Sequence, residues 1–317
     1  MTIVSPNIAP TEGPSTAPNE RPIRVTLCAD DFGLSPAVSR GIASLLERGR
    51  LSATGAMTIT PFWSESAPLL EPFADRIDIG LHWTLTDQTP LGNMPKLAPD
   101  GCFPTLGKLL KGAMLGRLPL DEIEAELHRQ LDAFETVWGE HPDFIDGHHH
   151  IQQLPGIRDV LIRVVMQRYG TRNSTNGTPR TTSGANPQSS MPWIRSCWMS
   201  PETMLRRGVD VRRCLAIGLP GRTLAKLAQE VGLTCNRGFG GIYDFSEKMA
   251  YGEVMARTLA YANDGMVIMC HPGEVDDALR KADSLTEGRL RELAYLAGDW
   301  FEADLNRYGV KLGRLVR

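Results

Sequence analysis

None of the six cysteines forms a Cys-x-x-Cys pair; they stand far apart, at 28, 102, 197, 214, 235 and 270. That spacing excludes a finger-type zinc cluster or a disulfide framework and leaves reduced, mostly buried thiols. No run of lysine and arginine is dense enough to follow a phosphate backbone, and the formal charge is only -3. Neither nucleic acid nor an anionic membrane is therefore an expected partner. No stretch approaches the roughly 18 consecutive apolar residues of a membrane-spanning helix. Residues 1–22 lack the basic start and apolar segment of an export signal. Being rich in Pro, Ser, Thr and Asn, they read as a disordered tail, which makes the expected location cytoplasmic. No internal repeat with a period of roughly 20 to 50 residues occurs, so a solenoid is not expected.

What is present is enough apolar material for a large core: 317 residues, 42% of them hydrophobic. Val25-Thr-Leu-Cys-Ala reads as a buried strand that runs into Asp30 and Asp31. Gly33 then turns the chain, with Ser35 as N-cap and Pro36 at the first helical position, into a helix carrying Val38, Ile42, Leu45 and Leu46 on one face and stopped at Gly49. Further strands are expected at 51–60, 77–81, 144–146, 193–197, 233–236 and 266–270. Helices are expected at 155–168, 221–231, 246–262 and 286–307, and the clearest opens at Pro119 and ends at Gly139. Segment 87–116 reads as a long loop, and 172–190, rich in Thr, Ser, Asn and Gly, as a flexible insertion. Strand-then-helix repetition predicts a single α/β domain over 23–317, a mostly parallel sheet closed or nearly closed into a (β/α) barrel.

Taken alone, Asp30-Asp31 reads as a helix cap beside a solvated turn residue. Other strands, however, end in polar residues too: one in His82, one in His148 to His150, one in His271. In a parallel array such termini converge on one face. Aspartate with two histidines is a common divalent-metal donor set that leaves positions for water and substrate; it suits a hydrolase and equally a non-haem Fe(II) oxygenase. Gly80 and Gly147 would allow close approach at a crowded centre. His149 is open between packing and the site, and His150 between ligand and a residue behind the ligands. Trp63, Trp83, Trp193, Arg195 and Trp198, with the segments 87–116 and 172–190, are expected to shape a sugar-binding surface.

Ala29-Asp-Asp-Phe-Gly-Leu-Ser35, Gly80-Leu-His-Trp-Thr-Leu-Thr86, Asp146-Gly-His-His-His150 and Cys270-His-Pro272 closely resemble the four motifs of the YdjC-like (ChbG/HpnK) carbohydrate deacetylase family, in order and approximate spacing. The resemblance implies a deformed (β/α) barrel of the polysaccharide-deacetylase type and hydrolysis of N-acetyl groups from amino sugars, as chitooligosaccharides or glycolipid-like glycosides, with one divalent metal, Mg or Zn. It implies Asp31, His82 and His148 as ligands, Asp30 as base and His271 as acid. Asp146 and Asp244 are then candidates for orienting the histidines. An N-acetylated sugar is the expected partner, and a homodimer stays open. The competing readings are a carbohydrate-binding or regulatory protein that keeps the metal pocket, and the oxygenase, which strand–helix alternation disfavours.

Overall fold

The computed structural model describes residues 21–170 and 191–315. Most of the expected tail, and the expected insertion at 172–190, lie outside the described residues.

The first half of the chain contains β1 (Ile23–Phe32), α1 (Pro36–Glu47), β2 (Ala53–Ala56), α2 (Phe62–Ser66), β3 (Asp78–Trp83), α3 (Leu106–Met114), α4 (Leu120–Trp138), β4 (Phe144–Gly147) and α5 (Ile157–Tyr169). The second half contains β5 (Trp193–Ile194), α6 (Pro201–Arg207), α7 (Val211–Glu230), β6 (Gly238–Gly240), α8 (Tyr251–Leu259), β7 (Met266–Cys270), α9 (Asp277–Ala282), α10 (Glu287–Ala297), α11 (Asp299–Arg307) and β8 (Val310–Leu312). Ser35 caps α1 as expected, its hydroxyl accepting from Val38 N–H at 3.2 Å. Gly139 ends α4 in the left-handed conformation.

Every paired strand is parallel, in the order β5-β4-β3-β2-β1-β7-β6. The first residues of β1 pair with β8 on the edge opposite β7, and β2 takes over that edge higher up. Among the described residues the gap between β5 and β6 is closed by a single bridge, Ile194 to Cys235, and by one side chain. Asn236 accepts from Ser196 N–H at 2.8 Å and donates to the carbonyls of Ser196 and Gly238, so it stands in for the missing ladder. The expected deformed (β/α) barrel is what the chain forms. Among the described residues no helix is long and apolar enough to cross a membrane.

Strand alternation decides which residues enter the barrel. Cys28, Ala53, Phe144, Trp193, Phe239, Val267 and Met269 pair across neighbouring strands and form one buried apolar cluster. The residues two further along, Asp30, Gly55, Asp146, Arg195 and His271, continue that inward face toward the carboxyl ends. The opposite parity, such as Leu27, Ile79, Leu81, Ile145 and Ile268, packs under the helices in the larger core.

Some expected elements differ. The strand expected at 233–236 is reduced to the bridge at Cys235, and the Asn236 side chain supplies the hydrogen bonds beyond it. The helix expected to start at Gly221 begins already at Val211, and the expected closing helix is two, separated by extended Gly298. Segment 87–116 is not loop throughout, since α3 occupies its second part.

Candidate functional site

The carboxyl ends of β1, β3, β4 and β7 bring five of the expected residues to one rim. Asp30 points inward by strand alternation, and Asp31 would then point away. A shift in the β1–β2 register between Ala29 and Phe32, together with a left-handed φ of 68° at Asp31, turns it inward as well. Asp31 Oδ1 lies 3.2 Å from His82 Nε2 and 3.1 Å from His148 Nδ1. One donor atom from each residue falls within 4.8 Å of the other two, and all three residues are buried.

These residues fit a divalent cation. His82 Nδ1 pairs with Asp146 Oδ1 at 2.8 Å, which aims buried Nε2 at Asp31 and His148, so that a cation taking the place of its proton would meet the nitrogen lone pair. Burial alone would push the His82 imidazole down, but the carboxylates of Asp146, Asp30 and Asp31 outweigh it and carry it up to about 10. A pocket that draws a proton so strongly is matched to positive charge.

Asp30 does not stand alone beside the three ligand candidates. Arg195 grips it with both ends of its guanidinium, Nη1 to Oδ2 and Nη2 to Oδ1, each at 2.7 Å, and reaches Asp146 Oδ2 at 2.6 Å. Burial would raise the Asp30 carboxyl, but Arg195 and then His82 outweigh it and hold it down to about 2. Arg195 is fully buried; the expected sugar-facing role is corrected to that of a brace between two carboxylates. His271 Nε2 faces Asp30 Oδ2 at 3.9 Å, and burial lowers its imidazole below the ordinary value.

Asp146 takes the expected orienting position behind His82, but Asp244 does not. Asp244 is exposed and accepts from the N–H and hydroxyl of Ser246, away from any histidine. His149 and His150 leave the strand in left-handed conformations, so the three histidines diverge. His149 stacks on His148 with ring centres 3.9 Å apart and its Nδ1 meets Thr86 Oγ1 at 2.8 Å. His150 turns the other way, to Cys197 Sγ and the edge of Phe239. Trp63, Trp83 and Trp193 are core residues, exposed by 2% or less, so their expected sugar contacts are corrected to packing. Gly80 faces the Phe144 ring and Gly147 faces Gln152; it is Gly55 that lies against His82 and Asp146. Gly170 and Met191, which flank the expected insertion, follow α5 and precede β5, on the opposite end of the barrel from this rim.

Three site residues escaped the sequence reading. Arg289 on α10 is fully buried and donates from Nη2 to Asp31 Oδ2 and to Asp283 Oδ2, both at 2.6 Å. Glu292, one turn further, accepts from the backbone N–H of His271 and from Tyr243 Oη, and burial raises its carboxyl to about 7. Gln88 Nε2 donates to Ala282 O at 3.1 Å, tying the loop after β3 to the end of α9 across the rim.

Similarity to known proteins runs over most of the chain. The sequence model of a family described as YdjC-like protein matches residues 24–307. A chitooligosaccharide deacetylase of Serratia marcescens is 30% identical over 286 residues, 90% of this chain and 95% of that protein. One of Enterobacter sp. (strain 638) is 35% identical over 167 residues, 49% of this chain and 65% of that protein. A solved structure from Enterococcus faecalis V583, described as a candidate cellobiose-phosphate cleavage protein, covers 93% of this chain and 98% of its own with a TM-score of 0.69 at 20% identity, a likeness of fold.

Proposed function

This chain belongs to the YdjC-like protein family, and from that premise we propose that it is a metal-dependent hydrolase that removes the N-acetyl group from an N-acetylated amino sugar, a chitooligosaccharide being the favoured class. The observation that carries the reading is the convergence of Asp31, His82 and His148 on one buried point, with the Asp30–His271 pair beside it. The names of the two relatives support the chemistry and the sugar class.

Asp31 Oδ1, His82 Nε2 and His148 Nδ1 would hold one cation. Two imidazoles and one carboxylate favour a borderline ion such as zinc over magnesium. When bound, the ion supplies Lewis acidity to the acetyl carbonyl and lowers the pKa of water at the site. Asp30, kept anionic and oriented by Arg195, receives the proton of the attacking water. His271 rests neutral at neutral pH, since burial lowers it. At 3.9 Å from Asp30 Oδ2 it can take up that proton and deliver it to the sugar nitrogen, which leaves only as an amine. Glu292 fixes the backbone at His271 and thereby the ring's aim.

Incubating the zinc-loaded protein with a panel of N-acetylated sugars and glycolipids, and measuring released acetate, tests the reading; no acetate from any member overturns it. Asp30→Asn should keep its metal and lose turnover by about a hundredfold or more. Turnover at the native rate would remove Asp30 from the role of base.

A further inference from the structure

We propose that the ring of Phe245 is the platform against which the apolar face of the hexosamine ring lies, a specificity contact that rests on the deacetylase reading above. Of the tryptophans expected to serve here, Trp63, Trp83 and Trp193 are buried in the core and Trp198 stands half-buried with the Arg222 guanidinium over its ring; the aromatic ring set against His271 is that of Phe245. Strand β6 delivers its following loop to the catalytic rim. There Gly241, at φ +91°, passes so close to Met269 O that a Cβ would stand 2.0 Å from it, and only glycine lets the loop cross the end of β7.

Ile242 and Tyr243 are buried beyond that crossing, and Phe245 emerges half-buried. Its φ is +58°, a conformation that bulky side chains avoid. The surroundings hold it there. Arg291 Nη2 donates to Phe245 O at 2.8 Å, Asp244 closes a turn onto Ser246, and the Tyr243 ring backs the Phe245 ring at 4.4 Å between centres. The result is a ring set edge-on to His271, centres 5.2 Å apart and planes at 83°.

The position also selects what the ring touches. His271 serves the nitrogen side of the bond that breaks, so its neighbour meets the sugar and not the acetyl methyl. A pyranose presents a face of C–H groups, which packs on an aromatic face as other apolar groups do.

The test uses N,N′-diacetylchitobiose with the zinc-loaded full chain. Phe245→Leu, which keeps apolar bulk and loses the ring, is expected to raise KM about three- to tenfold with kcat within about twofold of native and metal content unchanged. Phe245→Tyr, which restores the ring, is expected to return KM to within about twofold of native. Calorimetric binding of the disaccharide to Asp30→Asn, with and without Phe245→Leu, should show the same loss in the absence of turnover. An unchanged KM in Phe245→Leu, or an equal loss in Phe245→Tyr, overturns the proposal. Should Phe245→Leu fail to fold, Phe245→Trp carries the test: KM at or below native supports it, and a rise of threefold or more in a folded variant overturns it. Acetate release by the native protein with indifferent Phe245 variants sinks this contact alone, whereas no release and no binding by the native protein sink the deacetylase reading with it.

Discussion

Replacing Arg195 by methionine probes the charge arrangement inside the barrel most directly. The substitution keeps similar volume but removes three short contacts to Asp30 and Asp146, all without solvent. Breaking a buried pair on one side typically costs about 3–5 kcal/mol, because an uncompensated charge remains. The pH dependence gives the sharper signature. In the native protein Asp30 titrates at about 2, below the ordinary 3.8, so its contribution is present above pH 4 and lost as pH falls through 2. That shift corresponds to roughly 2 kcal/mol. Without Arg195 burial dominates and the Asp30 carboxyl rises above its ordinary value, so protonation relieves the variant as pH falls. Urea unfolding with chelator present, followed at pH 7, 6 and 5, should show a penalty of about 3–5 kcal/mol at pH 7 that shrinks with acid. A penalty under about 1 kcal/mol, or one constant across that range, would refute the account of Asp30 as a carboxylate held ionised by a guanidinium.

Other outcomes follow from neighbouring contacts. The metal-free site holds His82 protonated up to about pH 10, and a ligand nitrogen must be bare, so zinc binding at pH 7 should release about one proton and tighten with rising pH. Calorimetry in two buffers of different ionisation enthalpy measures this, and zero release contradicts the ligand role. Gly55→Ala would set a Cβ 3.2 Å from His82 Cβ and 3.3 Å from Nδ1. A folded variant should bind zinc about tenfold more weakly, read by competition with a chelating dye, and native affinity would mean the neighbours yield freely. Asn236→Ala should lower stability by about 1–3 kcal/mol and speed hydrogen exchange at Ser196, while β1 and β7 stay protected; uniform loss across the sheet would deny the seam its local character.

Much of the rim was legible because strand ends write their chemistry in short, local stretches: Asp30-Asp31, His82, His148 and His271 each follow an apolar run that only a strand explains. The braces were not legible. Arg289 and Glu292 stand three apart on a helix, where such a pair ordinarily reads as a solvated surface couple, and only the tertiary packing of α10 beside α1, α8 and α11 turns them to Asp31 and to the backbone of His271. The bracing role of Arg195 is not written in its sequence either, since one arginine after a two-residue strand does not reveal what lies across a barrel. The tryptophans misled for the opposite reason: as large apolar rings they suit a sugar surface and a core equally, and Trp63 stacks on Phe134 and Trp193 on Phe144 in the interior. The β5–β6 region was least readable, because its closure depends on one amide side chain in place of a repeated strand pattern.

The left-handed pair at His149 and His150 has a consequence for how sequence change acts here. Three identical rings in a row would let a slipped strand end still offer an imidazole to the same point, a degeneracy that could blur which residue does what. By bending immediately after His148, the chain sends the next two rings to a threonine and a thiol instead, so neither neighbour can substitute for the first. Replacing His148 alone therefore disarms the centre even though two histidines survive beside it, and tolerance to mutation at this corner follows the path of the backbone more than the letters along it.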